Sequence, residues 1–198
     1  MNDEKGKMIS GKLYNAFDEE LLNERQYAKE QIFNFNNLQP NQIVERNALI
    51  KNLFGKTKTT FFIEPPFHCD YGYNIEIGEN FYSNYNLIIL DCAKVVIGDS
   101  VLIGPNVSIY TAGHPVHHEI RKEELEYAFP VNIGNNVWIG GNVVINPGIS
   151  IGNNSVIGSG SVITHDIPDN VVAVGNPCKV LRKITDDDKL FYFKKLKV

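Results

Sequence analysis

Isoleucine recurs every six residues through the middle of this 198-residue chain. The positions in one register are Ile97, Ile103 and Ile109, and then Ile133, Ile139, Ile145, Ile151, Ile157 and Ile163. An amphipathic helix needs apolar residues at i, i+3, i+4 and i+7, and a long strand needs alternation, so neither explains this period. Three short strands per coil of about 18 residues do explain it. We therefore predict a hexapeptide parallel β-helix, in which the glycine after many of these isoleucines eases the backbone at each corner.

The regions on either side of the repeat are not periodic and divide the chain into three parts. Residues 1–60 are predicted to form an N-terminal helical region, in which Asp18 is a suitable N-cap. Residues 61–184 form the β-helix. Thr185 opens a capping-box pattern, so we expect residues 185–198 to be a short C-terminal helix. The fold class is thus mainly β, with helices at both ends.

One long interruption separates Ile109 from Val131. Residues 111–130 lack the isoleucine pattern and carry three of the five histidines of the chain. Long loops inside a compact domain are commonly functional. The segment is therefore the first candidate for the active site, with a tolerated surface insertion as the alternative.

Composition excludes several classes of protein. The net charge of −4 gives no basic excess suited to nucleic acid. No apolar run approaches the roughly 18 residues of a membrane span, and the polar N-terminus does not resemble a secretory signal. The three cysteines are widely spaced and form no CxxC pair, which argues against a disulfide framework or a zinc knuckle. We expect a cytoplasmic protein without nucleic-acid or membrane partners.

Six segments of the chain resemble the galactoside/maltose O-acetyltransferases, a branch of the hexapeptide acyltransferases. They are SGKLY (10–14), EPPFHCDYGYNIEIG (64–78), NFYSNYN (80–86), TAGHPVHHEIRK (111–122), IGNNVWIGGNVVINPGISIG (133–152) and GNPCKVLRKI (175–184). The resemblance implies a left-handed β-helix that forms a homotrimer, with active sites in clefts between subunits. A homotrimer would also cover the apolar outer face of a triangular prism.

The resemblance further implies that His114, in the TAGHPVHH segment, is the catalytic base. A sugar hydroxyl is a poor nucleophile, so its attack on a thioester requires removal of its proton, and a neutral imidazole can accept that proton. The expected reaction is direct acetyl transfer in a ternary complex. His117 and His118 are expected to shape the loop or to contact solvent, and the alternative is that one of them helps to bind coenzyme A or the acceptor. Any of three loop carboxylates could orient His114, and the sequence does not say which: Glu123, Glu124 or Glu126.

Two sets of binding residues are implied by the same resemblance. The positions matching acetyl-CoA contacts are Asn84, Gly141, Ser159, Thr164, His165, Lys179 and Arg182. His165 stands where the family commonly has lysine, and Lys179 and Arg182 match phosphate contacts. The positions matching acceptor contacts are Asp70, Tyr82, Asn84, Cys92 and Ala16. Ala16 and Cys92 stand where the galactoside enzymes have acidic residues, so the identity of the sugar is left open.

The predicted function is acetyl-CoA-dependent O-acetylation of a primary hydroxyl of a sugar or glycoside, without a metal. An acyltransferase with a non-sugar acceptor (serine or an aminosugar) is the first alternative. A zinc hydratase resembling the γ-carbonic anhydrases is disfavoured, because residues 114–118 crowd three histidines together instead of distributing them over separate coils. A non-catalytic scaffold would leave the histidine-bearing loop unexplained.

Overall fold

A computed structural model describes residues 3–194 and 196–198 of the chain. The helices are α1 (Glu4–Ile9), α2 (Glu19–Asn37), α3 (Ile43–Leu53) and α4 (His118–Arg121). The strands are β1 (Tyr14–Asn15), β2 (Phe61–Ile63), β3 (Phe67–Cys69), β4 (Ile75–Ile77), β5 (Phe81–Ser83), β6 (Leu87–Leu90), β7 (Val95–Ile97), β8 (Leu102–Ile103), β9 (Ser108–Tyr110), β10 (Ala112–Gly113), β11 (Leu125–Ala128), β12 (Val131–Ile133), β13 (Trp138–Ile139), β14 (Val144–Ile145), β15 (Ser150–Ile151), β16 (Val156–Ile157), β17 (Val162–Ile163), β18 (Val171–Val174), β19 (Lys179–Lys183), β20 (Phe191–Phe193) and β21 (Leu196–Lys197).

The predicted parallel β-helix is confirmed, and its three faces are three sheets. The four-stranded face has the order β15-β12-β7-β4, the five-stranded face β17-β14-β9-β6-β3, and the seven-stranded face β19-β18-β16-β13-β8-β5-β2. All neighbours in these sheets run parallel except β18 and β19. After the loop, Val144 pairs with Val162, eighteen residues on, which is the predicted coil length.

The isoleucine column forms the core of the β-helix. All nine isoleucines of the repeat are at most 3% exposed, and they belong to one continuous cluster of buried residues. Removing such a side chain to alanine typically costs about 2–5 kcal/mol. The periodic interior therefore supplies much of the stability of the fold.

The glycines that follow the isoleucines serve a different purpose from the expected one. A Cβ on Gly104 would lie 2.6 Å from the backbone nitrogen of Gly141, and one on Gly140 would lie 2.6 Å from that of Ser159. These glycines are needed because successive coils approach closely, and neither has a positive φ.

Asparagines take the left-handed backbone conformation at the corners instead. Asn136, Asn154 and Asn170 have φ of 56°, 57° and 59°. Their amides also form a ladder, in which Asn136 donates to Asn154 and Asn154 donates to Asn170, each at 3.0 Å. The corner turn is thus stabilised from one coil to the next by side-chain hydrogen bonds.

Three long corners lie next to one another on a single edge of the prism. They connect β3 to β4, β6 to β7, and β9 to β12, and these strands are neighbours in the five-stranded and four-stranded faces. We call residues 70–74, 91–94 and 111–130 the loop edge. The insertion leaves the coil register intact, since Val131 still pairs with Val95. The longest loop and the two shorter corners are therefore brought together.

The N-terminal helical region caps one end of the β-helix. Asp18 is the N-cap of α2, as predicted, and its carboxylate accepts a hydrogen bond from the backbone of Glu20. Phe35 of α2 and Leu53 of α3 join the main core, where Phe35 meets Phe67 edge to face. Within the described ranges, no helix has the length and hydropathy needed to cross a membrane.

The C-terminal segment corrects the expectation of a helix over residues 185–198. The predicted capping box of Thr185 and Asp188 is present, but it opens a 3-10 helix of only four residues, Asp186–Lys189. The chain then forms an antiparallel hairpin of β20 and β21. Aromatic residues in β20 favour an extended chain, and so short a segment does not sustain a helix without packing.

Candidate active site

His114 lies at the start of the long loop, directly after β10. Its side chain is about half exposed, at 53%. The ring nitrogen Nδ1 lies 3.3 Å from the carbonyl oxygen of Leu125, and Nε2 lies 3.7 Å from Oε1 of Glu126. A carbonyl oxygen can only accept, so for a neutral imidazole this contact selects the tautomer with its hydrogen on Nδ1 and its lone pair on Nε2. Nε2 is therefore the nitrogen that can accept a proton.

The short strand β1 positions both residues that lie next to the His114 imidazole, Leu125 and Glu126. β1 pairs antiparallel with β11, so that Tyr14 is opposite Glu126 and Asn15 is opposite Leu125. The Tyr14 hydroxyl donates to Oε2 of Glu126 at 2.7 Å, and the Tyr14 side chain is fully buried. Burial raises the pKa of Tyr14, which keeps it a neutral donor. Of the three loop carboxylates, the structure thus places Glu126 beside His114.

The two shorter corners of the loop edge place Asp70 and Cys92 side by side. The Cys92 thiol donates to Oδ2 of Asp70 at 3.5 Å. Burial raises the pKa of the thiol and, despite that hydrogen bond, raises the pKa of the Asp70 carboxyl. Asp91 fixes the turn that carries Asp70, because its Oδ1 accepts from the backbone of Asp70 and Tyr71 at 3.0 and 2.8 Å.

A cavity of about 300 Å³ lies beside these groups. Its walls include Ala16, Arg25, Lys29, Asp70, Cys92 and Glu126. Three of the predicted acceptor residues therefore come together: Ala16, Asp70 and Cys92. A pocket with two cations, two carboxylates and a thiol suits a ligand that presents several hydroxyl groups.

Arg25 and Lys29 belong to this cavity but were not among the predicted site residues. Both lie on α2, and Arg25 donates to the Tyr71 hydroxyl at 2.6 Å and to the Ala16 carbonyl. The sequence did contain a signal for Arg25, because α2 buries Leu21, Ala28 and Ile32 in an approximate apolar stripe and Arg25 places a charge within it. Asp18, two residues after Ala16, is the N-cap of α2 and does not line this cavity.

Tyr82 and Asn84 lie elsewhere in the single chain. Tyr82 is on the outer side of β5 in the seven-stranded face, stacked on Phe62 with ring centroids 6.2 Å apart. Asn84 follows β5 at the edge between the seven-stranded and five-stranded faces, which we call the second edge. The five-stranded face separates this edge from His114.

The predicted acetyl-CoA contacts are distributed over three places. Asn84, Gly141 and Ser159 follow β5, β13 and β16 and share the second edge. Thr164 and His165 follow β17 on the same side as the loop edge, and the Thr164 hydroxyl lies 3.0 Å from Nδ1 of His165. The single chain does not bring these two groups together.

Lys179 and Arg182 lie on β19, at the end of the seven-stranded face. Arg182 binds both carboxylate oxygens of Asp188, at 2.8 and 2.7 Å. This contact lowers the pKa of Asp188 to about 2. Lys179 is exposed. Both cations are at the surface, where a phosphate group could reach them.

The remaining loop histidines lie at the surface. Nδ1 of His117 accepts from the backbone of Glu119 at 3.4 Å and so caps α4, and the His117 ring stacks on His118 at 4.9 Å. Their part in the activity stays a prediction. Among residues 3–194 and 196–198, no three His, Cys, Asp or Glu side chains are grouped as a metal site requires.

Two family models match the chain, one over the N-terminal helical region and one over the later coils of the β-helix. The model described as the maltose acetyltransferase hexapeptide capping motif matches residues 7–58, and that of the bacterial transferase hexapeptide (six repeats) matches residues 130–165. A β-helix with this capping region and a histidine-bearing loop defines the class of hexapeptide-repeat acetyltransferases.

Individual proteins are similar over nearly the whole chain. The galactoside O-acetyltransferase of Escherichia coli is 52% identical over 97% of this chain and 95% of its own. A structure of a galactoside acetyltransferase in complex with coenzyme A has a TM-score of 0.97 at 50% identity, covering 100% of this chain and 99% of the other. A maltose O-acetyltransferase from Clostridium difficile has a TM-score of 0.91 at 52% identity, covering 92% and 98%. The chain belongs to the galactoside/maltose O-acetyltransferase family.

Proposed function

We propose that this protein transfers the acetyl group of acetyl-CoA to a primary hydroxyl of a sugar or glycoside. The observation that carries the proposal is the position of His114, whose Nε2 lies 3.7 Å from Oε1 of Glu126, a residue that lines the same cavity as Asp70 and Cys92. The similarity to enzymes named for galactoside and maltose acetylation supports it. We place the activity in the cytoplasm.

His114 acts as the general base in this proposal. Nε2 removes the proton of the acceptor hydroxyl while its oxygen attacks the thioester carbonyl. The imidazolium then returns that proton to the departing sulfur of coenzyme A, so no acyl-enzyme forms. Glu126 stabilises the imidazolium while it carries the charge, and Tyr14 holds Glu126 in place through its 2.7 Å hydrogen bond.

Acetyl-CoA would be held by residues that fit its chemistry. Lys179 and Arg182 present cations for its phosphates. Gly141 and Ser159 leave room along the second edge, where a pantetheine arm can bond to backbone groups. Thr164 and His165 lie across the five-stranded face from that edge.

Replacing Glu126 with glutamine tests its part in the mechanism. We expect kcat to fall about fivefold to tenfold with little change in KM for acetyl-CoA, because a neutral amide stabilises the imidazolium less well. Glu124→Gln is the matched control, since Glu124 is an exposed carboxylate of the same loop. Equal kcat values for the two variants would contradict the role of Glu126.

The arrangement of the acceptor residues leads us to propose a homotrimer. Asp70 and Cys92 lie on the loop edge, whereas Tyr82 and Asn84 lie across the five-stranded face. A neighbouring copy that apposes its second edge to the loop edge would bring the two groups into one cleft. A cyclic arrangement of three copies closes such heterologous contacts.

An apolar column on the seven-stranded face supports this assembly. The paired, outward-facing residues are Phe62, Tyr82, Leu102, Trp138, Val156 and Val172. Leu102 and Trp138 are 49% and 55% exposed. An outward-facing apolar column that is exposed at its centre marks an interaction surface.

Charge introduced into this column should disrupt the assembly. We expect Trp138→Asp to dissociate the trimer and to abolish most of the activity, because a carboxylate would be buried at the interface. Val96→Asp is the control, since Val96 faces outward from the four-stranded face. Light scattering measures the mass of the wild type and of both variants in solution. A monomeric wild type, or a trimeric and fully active Trp138→Asp, would refute the proposal.

An acceptor screen tests the function itself. Purified protein is mixed with acetyl-CoA and with galactosides, maltose, serine or an aminosugar, and the released thiol is followed. We expect release with the sugars and glycosides. Release with serine alone, or with none of these acceptors, would overturn the proposed function.

A further inference from the structure

A separate cavity of about 410 Å³ lies in the N-terminal cap, between α2, the end of α3 and the corner that follows β3. Among the described residues, the walls of this cavity and those of the cavity beside His114 have no member in common. Neither the acceptor residues nor the residues expected to hold acetyl-CoA line it. The proposed acetyl transfer therefore leaves this space without a use.

Tyrosine rings form two sides of this cavity. Tyr71 and Tyr73 lie on one side, with ring centroids 5.4 Å apart, and Tyr27 of α2 lines the cavity as well. Among the described residues, the Tyr27 ring makes no ring contact with either of them, and its side chain is 55% exposed. Leu53, which is buried, adds an apolar wall. The space between the rings suits a flat aromatic ligand.

The charge at this cavity is already balanced within the protein. Glu24 is the one charged side chain among the described residues of the walls. Its Oε2 accepts from the Tyr73 hydroxyl at 2.7 Å, and its Oε1 accepts from the Lys5 ammonium, which lies 4.8 Å from the centroid of the Tyr73 ring. None of the described wall residues is a lysine or arginine, so a phosphate group would find no cation there. These contacts favour a neutral ligand.

Two carboxamides are the polar groups of the walls that are available to a ligand. Asn23 of α2 and Asn52 of α3 are exposed, and neither side chain makes a hydrogen bond with the described residues. Each amide presents an acceptor oxygen beside a donor nitrogen. A purine base carries donors next to acceptors on two of its edges, and asparagine pairs with one such edge of adenine through two hydrogen bonds. Amides from two different helices therefore match a purine better than a plain aromatic ring.

We propose that this cavity binds the purine base of a neutral nucleoside. The base stacks between Tyr27 and the pair of Tyr71 and Tyr73, and its polar edges bond to Asn23 and Asn52. The site is distinct from the one that holds acetyl-CoA, whose phosphates need Lys179 and Arg182. The Tyr71 hydroxyl accepts from Arg25, a wall of the acceptor cavity, at 2.6 Å, so the base lies close to the acceptor cavity without entering it.

Calorimetric titration with adenosine tests this site. Coenzyme A is kept at saturation throughout, so that adenosine cannot bind in place of the adenine of the acetyl donor. We expect one adenosine per chain, with a Kd below about 1 mM. AMP and indole should bind about fivefold more weakly, because the phosphate finds no cation and indole lacks the polar edges.

Tyr27→Ala should weaken adenosine binding about tenfold, since stacking of a base on an aromatic side chain contributes that much. Asn52→Ala, at an exposed position near the end of α3, should weaken it about threefold through the lost hydrogen bonds. Phe33→Ala is the matched control, because Phe33 is an exposed aromatic residue of α2 that does not line this cavity. It should bind adenosine as the wild type does.

An unchanged affinity for coenzyme A shows that each variant is folded, and Asn52→Ala decides the matter if Tyr27→Ala does not fold. Four results would each overturn the inference: no binding of adenosine to the wild type, AMP binding as tightly as adenosine, indole binding as tightly as adenosine, or wild-type affinity in the folded variants at Tyr27 or Asn52. All of these readouts are binding measurements. They are therefore independent of whether the protein acetylates a sugar.

Discussion

Replacement of His114 by alanine is expected to lower kcat by about a hundredfold or more, since general-base catalysis typically contributes that much. The side chain is half exposed, and its polar contacts are with Leu125 and Glu126 of the same loop. The fold and the affinity for coenzyme A should therefore be almost unchanged. Steady-state kinetics and direct titration with coenzyme A measure the two quantities separately.

His118→Ala is the matched control for this experiment. His118 belongs to the same loop, is exposed, and stacks only on the ring of His117. We expect its kcat to stay within about threefold of the wild type, as is usual for exposed positions outside a site. Retention of most activity by His114→Ala would show that another group removes the proton.

The second large effect is on the pH dependence of stability, and we expect it to come from Asp91, whose carboxyl lies at the base of the loop edge. It is fully buried, and its Oδ2 accepts no hydrogen bond from the described residues. Burial raises its pKa to about 6 from an ordinary value of 3.8, despite the opposing hydrogen bonds from Tyr71 and Asp70. This difference corresponds to about 3 kcal/mol between the two protonation states.

The direction in which the free energy of unfolding changes with pH follows from proton binding. Between pH 4 and 6 the folded protein retains a proton on Asp91 that the unfolded chain has released, so the free energy of unfolding falls as the pH rises. Above pH 6 Asp91 is ionised in both the folded and the unfolded protein, and the loss of about 3 kcal/mol in the free energy of unfolding is complete. Asp91→Asn should lack this fall. Denaturant unfolding of the wild type and the variant from pH 4 to 7.5, at one protein concentration, measures the difference.

Asp99→Asn provides the comparison for a carboxylate that is exposed. Asp99 also accepts a backbone hydrogen bond at a corner, from Glu79 at 2.7 Å, but it lies at the surface. Relative to this control, the Asp91→Asn variant should gain stability over the wild type as the pH rises through 6. If the difference in free energy of unfolding between the wild type and Asp91→Asn stayed constant across this range, the raised pKa of the buried Asp91 carboxyl would be contradicted.

The β-helix could be predicted from the sequence because its cause is local and repeated. Each buried isoleucine, such as Ile145, meets its counterpart one coil away in Ile163. Once the period is known, the strand length, the register and the core follow together. The excursion after Ile109 could be predicted for the same reason, since it is where the period fails.

The site could be predicted only in part, because its contacts join residues far apart in the sequence. The loop carboxylate beside His114 is selected by Tyr14, which is 112 residues away from Glu126. Arg25 and Lys29 enter the cavity through the packing of α2 against the loop edge. No local pattern encodes these contacts, which depend on how nonrepetitive segments pack on the repeating body.

The C-terminal hairpin shows the limit of local signals in another way. The capping pattern at Thr185 was interpreted correctly, yet a cap determines only where a helix begins. Whether the helix continues depends on the residues after it, and Phe191 and Tyr192 favour an extended chain.

The geometry of the lengthened corners bears on how proteins of this shape acquire new substrates. Because Val131 rejoins Val95 after the excursion, extra residues at that edge leave the pairing on the other two faces undisturbed. Recognition of a new molecule can therefore be altered by insertions along one side of the prism. The remaining sides keep the same strand pairing and the same isoleucine core.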